Sequence, residues 1–272
     1  VWSYADRTHH DYFVGDDESV HVLTQEFRHL DDAPLSGVTL DPKTVLDEFV
    51  VRLSADGEVE QKWSLLDAIA DSPMSHVLRD WHSSGAKWDP LHTNGVDVIG
   101  ADFAEHHDFA EPGQLLLSFR ALNAVGILDP SDGRLVWMRR GPWLEQHDPD
   151  PLPNGNLLIF DNRGHAGASG QSRILEVDPA DGRVVWSWAG TPDNPFDSEW
   201  RGMQSRLPNG NTLIVESVGS RLLEVTPGGR VVWSFRNPAT EEDRGELWSA
   251  IIPGPVQRVD PETLAFEPDG TR

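Results

Sequence analysis

A pair of strand-like runs recurs along the chain, and this repeat constrains the fold more than any other feature. The clearest copies end at Trp137, Trp186 and Trp233, which are 49 and 47 residues apart. In each copy an Asp-Gly or Gly-Gly turn joins the two runs, as expected for a β-hairpin. A degenerate copy covers residues 51–63. A period of this length is typical of propellers and solenoids.

A second hairpin precedes each copy of the repeat. The best example turns at Pro-Asn-Gly-Asn, residues 153–156, where Asn and Gly tolerate the positive φ that tight turns require. The four hairpins cover residues 10–25, 92–120, 147–162 and 204–216. Four strands per unit, A to D, make the blade of a β-propeller. The sequence therefore predicts an all-β fold, with four-stranded antiparallel blades in a single domain over residues 1–272.

The number of blades depends on the two ends of the chain. A weaker fifth unit covers residues 247–266, and residues 1–4 resemble the D strands of the repeat, so we expect them to complete the last blade. We expect five blades, or six if the C-terminal part is compressed. Long insertions interrupt the repeat at about 26–47 and 64–91, and the second favours a short helix at 64–70.

Composition excludes several classes of function. With 45 acidic against 22 basic residues the net charge is -23, which repels nucleic acids. The absence of cysteine excludes disulfides and thiolate metal sites. No apolar run approaches the roughly 20 residues that cross a bilayer. The N-terminus has no signal-peptide pattern. Because it starts abruptly in a strand-like segment, we expect that a leader or an upstream piece was removed.

Antiparallel strand order predicts which residues meet at one rim. The starts of A and C strands and the ends of B strands lie at one end of each blade, opposite the Asn-Gly and Asp-Gly turns. The A strands start in one register at four polar residues, His10, His92, His147 and Gln204. The B-strand ends and a C-strand start add Arg120, Asn162 and Arg173. We therefore expect three histidines and two arginines around one channel mouth.

This set of side chains suits an anion. Arginine offers a planar fork of donors for sulfate, phosphate or carboxylate, and histidine serves as nucleophile, acid or base near neutral pH. Structural roles are the alternative: the histidines would cap backbone groups, and the arginines would form ion pairs between blades with Asp161, Glu176 or Glu216. The Asp-Gly turns and the segment 106–108 are interpreted as turns and a solvated loop, so no metal site is predicted.

Several motifs in the middle of the chain resemble the bacterial arylsulfotransferase propeller family. They appear in the family's order over roughly residues 85 to 235 and comprise His92-Thr-Asn94-Gly-Val, Leu117-Ser-Phe-Arg120, Gln146-His147-Asp148, Leu158-Ile-Phe-Asp-Asn162, Ser172-Arg173 with Glu176, and Gln204 with Pro208-Asn-Gly-Asn211.

The resemblance implies transfer of a sulfuryl group from an aryl sulfate to a phenolic acceptor, without a cofactor. It also implies export to the periplasm or beyond. By motif, His92 and His147 would be catalytic, with Arg120 and Arg173 as charge clamps. The residues left to bind substrate are His10, Asn94, Asn162 and Gln204.

One departure from the family pattern affects the mechanism. The family's sulfated histidine follows the Gln-His-Asp motif, but Gln204 stands in the matching register and no histidine follows His165. An amide is not a nucleophile of this kind. Either His92, His147 or His10 takes the role, or the chain is an inactive propeller that binds a small anion or a protein. A propeller lyase or hydrolase is a third reading.

Overall fold

The computed structural model describes residues 2–79, 88–165 and 171–236. Within these ranges the chain forms sixteen strands: β1 (Thr8–Val14), β2 (Val20–His29), β3 (Thr44–Leu53), β4 (Val59–Ser64), β5 (Thr93–Val98), β6 (Leu115–Phe119), β7 (Ala124–Asp129), β8 (Arg134–Arg140), β9 (His147–Pro151), β10 (Leu157–His165), β11 (Gln171–Val177), β12 (Val184–Trp188), β13 (Met203–Arg206), β14 (Thr212–Glu216), β15 (Arg221–Val225) and β16 (Val231–Arg236). Two short α-helices, α1 (Leu65–Ala70) and α2 (Ala101–Ala104), and two 3-10 turns, Ser75–Arg79 and Arg120–Leu122, complete the elements.

The strands form four antiparallel sheets of four strands each. Their orders are β1–β4, β5–β8, β9–β12 and β13–β16, so every strand pairs with its neighbour in sequence. Such sheets are the blades of a β-propeller. The predicted fold class and the four visible units are therefore confirmed. The fifth unit expected at 247–266 lies outside the described residues.

The two long insertions predicted from the sequence, at about 26–47 and 64–91, are partly structured. Strand β2 continues to His29 and β3 begins at Thr44, so the connection between them spans residues 30–43. Helix α1 lies where the sequence predicts it. The Ser64 side chain accepts a hydrogen bond from the Asp67 backbone N–H and so caps its first turn. None of the helices in the described ranges is long and apolar enough to span a membrane.

Apolar side chains fill the space between successive blades. One cluster joins Leu116 and Ile127 of the second blade to Ile159 and Leu175 of the third, all fully buried. Of the repeated tryptophans, Trp137 packs against this cluster and Trp186 against the next one. Trp233 differs from them, because 47% of its surface is exposed.

The A strands are the innermost strands and they lie side by side. Strand β1 contacts β5, β5 contacts β9, and β9 contacts β13. Residues 2–4, expected to form a D strand, are not in a strand. Instead the Trp2 indole N–H donates to the Ala55 carbonyl at the β3–β4 turn, 2.7 Å away. This contact places Trp2 at the rim of the Asp-Gly turns.

Candidate active site

Three histidines and one arginine come together where the first three A strands begin. The ring centroids of His10 and His92 are 5.0 Å apart. His147 is close enough that the charges of Arg120 and His92 both lower its pKa. The pKa of His10 is lowered mainly by burial, and the charges of His92 and Arg120 add to the effect. The structure thus brings together His10, His92, His147 and Arg120, four of the residues that the sequence places at this rim.

Asn162 fixes the orientation and the tautomer of His147. The Nδ2 group of Asn162 donates to the carbonyls of Ser198, at 2.7 Å, and Arg201, at 2.6 Å. Its Oδ1 therefore faces Nδ1 of His147, 2.8 Å away. Because an amide oxygen only accepts hydrogen bonds, the network assigns the imidazole proton to Nδ1. This leaves a lone pair on Nε2.

The imidazole of His147 is neutral at physiological pH. Burial is the main cause, and the charges of Arg120 and His92 add to it, so that the pKa of His147 falls to about 4 despite the opposing hydrogen bonds that its ring donates to Asn162 and to the Glu145 backbone. Only 8% of the residue is exposed. A neutral, oriented ring with a lone pair on Nε2 is the form that attacks an electrophile or accepts a proton.

Asp89 orients His92 in a similar way. One carboxylate oxygen lies 2.5 Å from Nδ1 of His92, and the other accepts the His92 backbone N–H at 3.0 Å. The carboxylate holds the proton on Nδ1 and would stabilise an imidazolium. Nε2 of His92 again carries the lone pair, and a third of the side chain is exposed. A carboxylate–imidazole pair of this kind suits proton transfer.

The backbone is strained at several points of this rim. His10, His92 and Glu145 have φ values of 55°, 48° and 55°, in the left-handed region that side chains other than glycine rarely adopt. His10 lies inside β1, where the pairing with β2 is irregular between Thr8 and Tyr12. Such outliers concentrate at functional sites, because the surrounding structure must stabilise them.

Arg120 is paired with a carboxylate. Its Nη2 lies 2.5 Å from Oε2 of Glu145, and 17% of each side chain is exposed. The predicted positive pocket is therefore closer to charge balance, since Glu145 faces Arg120 and Asp89 faces His92. The guanidinium is fixed in place by Glu145, and the arrangement suits a monoanion better than a highly charged ligand.

The contacts of Arg173 are those of a structural clamp. Its Nε donates to Asp161 at 2.7 Å and its Nη2 to the Pro142 carbonyl at 2.5 Å. Arg221 of the next blade binds Glu216 and the Pro195 carbonyl with the same two nitrogens, each at 2.6 Å. None of the recorded Arg173 contacts, within the described ranges, involves the three histidines. Arg173 does form an ion pair with Asp161, one of the carboxylates that the sequence offered as an alternative, but both residues belong to the third blade, so the pair does not join two blades.

The register assigned to Gln204 is wrong. His147 lies opposite Phe160, the fourth residue after the Asn-Gly-Asn turn, and the residue opposite the equivalent Val215 is Met203. An irregularity in β9, between Asp150 and His147, adds one residue and causes the shift.

Gln204 itself holds two blades together. Its backbone N–H donates to Oδ2 of Asp148 at 3.0 Å, and its Nε2 donates to the Asp148 carbonyl. Only 3% of the residue is exposed, and Oε1 has no partner within the described ranges. A role in packing thus accounts for its donors.

Asn94 and Asn162, predicted to bind substrate, are also buried and engaged. Asn94 donates through Nδ2 to the Gln146 carbonyl at 2.9 Å, which joins β5 to β9. Asn162 is fully buried and uses both amide protons on carbonyls. Oδ1 of Asn94 is a buried acceptor without a partner in the described chain. Both asparagines therefore act on the site through the strands and through His147.

Sequence reasoning missed the two carboxylates of the site. Asp89 lies three residues before His92, and Glu145 immediately precedes the Gln-His-Asp motif. Both positions were visible as acidic residues beside a candidate histidine. The missing information was which side chains turn toward the ring, because that depends on the positive φ at His92 and Glu145.

Further along the inner strands lies a group of acidic side chains that the sequence analysis also missed. Burial raises the pKa of Asp11, Asp97, Asp148 and Asp150, and the charges of Asp11 and Asp97 add to the rise at Asp148 and Asp150. The pKa of Asp97 is raised to about 7 and that of Asp148 to about 8. In the ranges described, no group of three or more acidic or histidine side chains has metal-binding geometry.

Comparison with solved structures gives matches of low identity. A virginiamycin B lyase from Staphylococcus aureus is 13% identical over 86% of this chain and 72% of its own, with a TM-score of 0.43. A protein of unknown function from Bacteroides caccae is 19% identical, with a TM-score of 0.43. That match covers 71% of this chain and 55% of the other, so this chain spans little more than half of that protein. No curated protein matches the sequence.

A family model gives the decisive comparison. The model for arylsulfotransferase (ASST) matches residues 2–238, which include all four described blades and every residue of the rim. The match extends well beyond half of the chain, and it agrees with the motifs noted in the sequence. The chain therefore belongs to the arylsulfotransferase family.

Proposed function

We propose that the protein transfers a sulfuryl group from an aryl sulfate to a phenolic acceptor, with His147 as the nucleophile and His92 as the acid and base. One observation carries this proposal: the two imidazoles of His92 and His147 lie beside Arg120, and a buried acceptor holds the proton of each on Nδ1, which leaves the lone pair on Nε2. Membership of the arylsulfotransferase family supports the reaction class.

In the first half-reaction, Nε2 of His147 attacks sulfur. The N–S bond forms as the bond between sulfur and the aryl oxygen breaks, and the departing oxygen takes a proton from protonated His92. Asn162 accepts from Nδ1–H throughout, and so stabilises the positive charge that develops on the ring. Arg120, fixed by Glu145, faces the negative charge on the sulfuryl oxygens.

In the second half-reaction, the acceptor reverses these steps. The phenol gives its proton to neutral His92, and its oxygen attacks sulfur. The N–S bond then breaks, and its electron pair returns to Nε2 of His147. No cofactor is needed, since each proton and each electron pair is recovered.

The choice of nucleophile follows from burial and charge. His147 is neutral because its pKa is lowered to about 4, so its lone pair is available over the physiological range. His92 faces the Asp89 carboxylate through Nδ1, which directs its Nε2 into the site and suits a proton donor and acceptor. Met203, at the position equivalent to His147 in the fourth blade, has no nitrogen to offer. By family, we infer that the protein acts in the periplasm or outside the cell on small aromatic molecules.

The test is release of para-nitrophenol from para-nitrophenyl sulfate, with and without phenol. The wild type should release it when phenol is present. His147→Ala and His92→Ala should each lose roughly a hundredfold or more, as expected for a nucleophile and an acid. His106→Ala is the matched control, because this exposed histidine lies beside Gly155 at the opposite rim and should leave the rate unchanged.

Other outcomes would support the alternatives. Binding of aryl sulfates without release under any acceptor would support an inactive, anion-binding propeller. Turnover of a uronate or a lactone, but not of a sulfate ester, would support a lyase or hydrolase. Equal activity of His147→Ala and the wild type would contradict the assignment of the nucleophile.

A further inference from the structure

Two large aromatic side chains stand exposed beside the histidines. Phe27 and Trp88 are 53% and 45% exposed, and their ring centroids are 5.9 Å apart at an angle of 55°. Single exposed hydrophobic residues are ordinary, but a pair of rings in contact presents a continuous apolar surface. The catalytic steps proposed above make no use of this aromatic pair.

The backbone places the aromatic pair next to the candidate active site. Trp88 directly precedes Asp89, the partner of His92, and its carbonyl accepts the Leu46 N–H at 2.6 Å. Phe27 lies opposite the same Leu46 in the β2–β3 ladder.

One strand connects the pair to the histidines. Glu48 lies two residues further along β3 than Leu46, a distance of roughly 7 Å at the rise of a strand. Its carboxylate accepts the Thr93 N–H at 2.7 Å and lies 3.9 Å from Nε2 of His9. Thr93 follows His92 and His9 precedes His10, so strand β3 links the position paired with Phe27 to the residues that flank two of the histidines.

A cation borders the aromatic pair. The guanidinium carbon of Arg7 lies 5.9 Å from the centroid of the Phe27 ring. No side-chain hydrogen bond or salt bridge of Arg7 is recorded in the ranges that the structure describes, although its carbonyl accepts the Gln25 N–H at 3.1 Å. The chain as a whole carries a net charge of -23, so Arg7 gives the aromatic pair a local positive charge beside Phe27. Rings and a cation together suit a ligand that is aromatic and anionic.

We propose that Phe27, Trp88 and Arg7 form the subsite for the aromatic ring of the sulfate donor. This inference rests on the proposed function, because it assigns the aryl group of the same substrate. The ring stacks on the aromatic pair while the sulfuryl group reaches toward His92 and His147. The subsite favours aryl sulfates over alkyl sulfates, since an alkyl chain gains no ring contact.

Binding of para-toluenesulfonate, measured by isothermal titration calorimetry, separates this subsite from catalysis. Its sulfur is bonded to carbon, so it cannot donate a sulfuryl group. Trp88→Ala and Phe27→Ala should each weaken binding by roughly three- to tenfold, the worth of one aromatic contact. Trp88→Phe should retain most of the affinity. Methanesulfonate, which has no ring, should bind weakly and equally to all variants.

The matched control is Trp2→Ala, because Trp2 is 41% exposed at the opposite rim. Equal binding by the wild type and Trp88→Ala, or an equal loss in Trp2→Ala, would overturn the subsite. So would the absence of binding to the wild type. Circular dichroism of each variant shows that it is folded. If para-toluenesulfonate binds as expected but no aryl sulfate is turned over, the subsite stands and the proposed function fails.

Discussion

Replacing Asn162 with leucine removes the group that selects the reactive tautomer of His147. The bond between Nδ1–H and Oδ1 is 2.8 Å long and fully buried. A neutral hydrogen bond contributes about 1 kcal/mol, which favours this tautomer by about fivefold. Loss of ring orientation adds up to about a hundredfold, as for other misplaced catalytic groups. Because the two effects multiply, we expect kcat to fall by between about fivefold and about five-hundredfold, with KM little changed.

The same substitution destabilises the fold. It removes three hydrogen bonds, of which those to the Ser198 and Arg201 carbonyls are 2.7 Å and 2.6 Å long. At about 1 kcal/mol each, the free energy of unfolding should fall by about 3 kcal/mol. The loss is moderated because the Ser198 carbonyl also accepts from the Ser172 hydroxyl at 3.0 Å.

Two measurements on Asn162→Leu test this reasoning. Nitrogen chemical shifts of the His147 ring report the tautomer, and stopped-flow release of para-nitrophenol reports the rate. Asn156→Ala is the matched control, since it removes a 2.8 Å hydrogen bond to Glu176 at the opposite rim. That variant should lose stability but keep the rate and the tautomer. A folded Asn162→Leu protein with an unchanged tautomer and kcat within twofold of the wild type would refute the account.

Three further predictions concern the charged groups. Asp89→Asn removes the carboxylate that faces His92 and so weakens its role as the acid. Turnover of phenyl sulfate should therefore fall more than turnover of para-nitrophenyl sulfate, because para-nitrophenolate leaves without a proton. Equal losses for the two substrates would contradict an acid role. Arg173→Ala and Arg221→Ala should each lower the free energy of unfolding by about 1–3 kcal/mol in urea titrations, without raising KM. A rise in KM in Arg173→Ala alone would contradict a purely structural role for Arg173. Burial raises the pKa of Asp97 to about 7, so the folded protein keeps a proton that the unfolded chain releases above 3.8, and stability falls as pH rises between these values. Asp97→Asn should reduce this pH-dependent loss of stability by about 1 kcal/mol, a figure lowered to allow for the partial exposure of Asp97. If the free energy of unfolding, measured in urea, changes with pH equally in the variant and the wild type, the prediction is wrong.

The fold followed from local signals in the sequence. Asn-Gly and Asp-Gly turns determine where hairpins reverse, and Gly155 has the positive φ of 82° that such a turn needs. The polar cap at Ser64 likewise marks the start of α1. The convergence of His10, His92 and His147 followed from antiparallel order alone, because alternate strand ends share a rim.

These local signals do not predict which way each side chain points or which distant residue it contacts. The added residue in β9 shifts the register by one, so Met203 takes the place assigned to Gln204. Arg173 binds a carbonyl at Pro142, 31 residues away, which no local pattern encodes. Asn162 positions His147 because it is buried and donates its amide protons to carbonyls of residues more than 30 positions away in the sequence. Long-range contacts of this kind distinguish a residue that binds substrate from one that positions a histidine.

The most direct test is the intact mass of the protein after mixing with para-nitrophenyl sulfate in the absence of acceptor. The account predicts a gain equal to one sulfuryl group, located on His147 by peptide mapping, absent from His147→Ala and discharged by phenol. A sulfuryl group on another residue, or nitrophenol release to an acceptor with no covalent intermediate in the wild type, would contradict the role of His147 as the nucleophile.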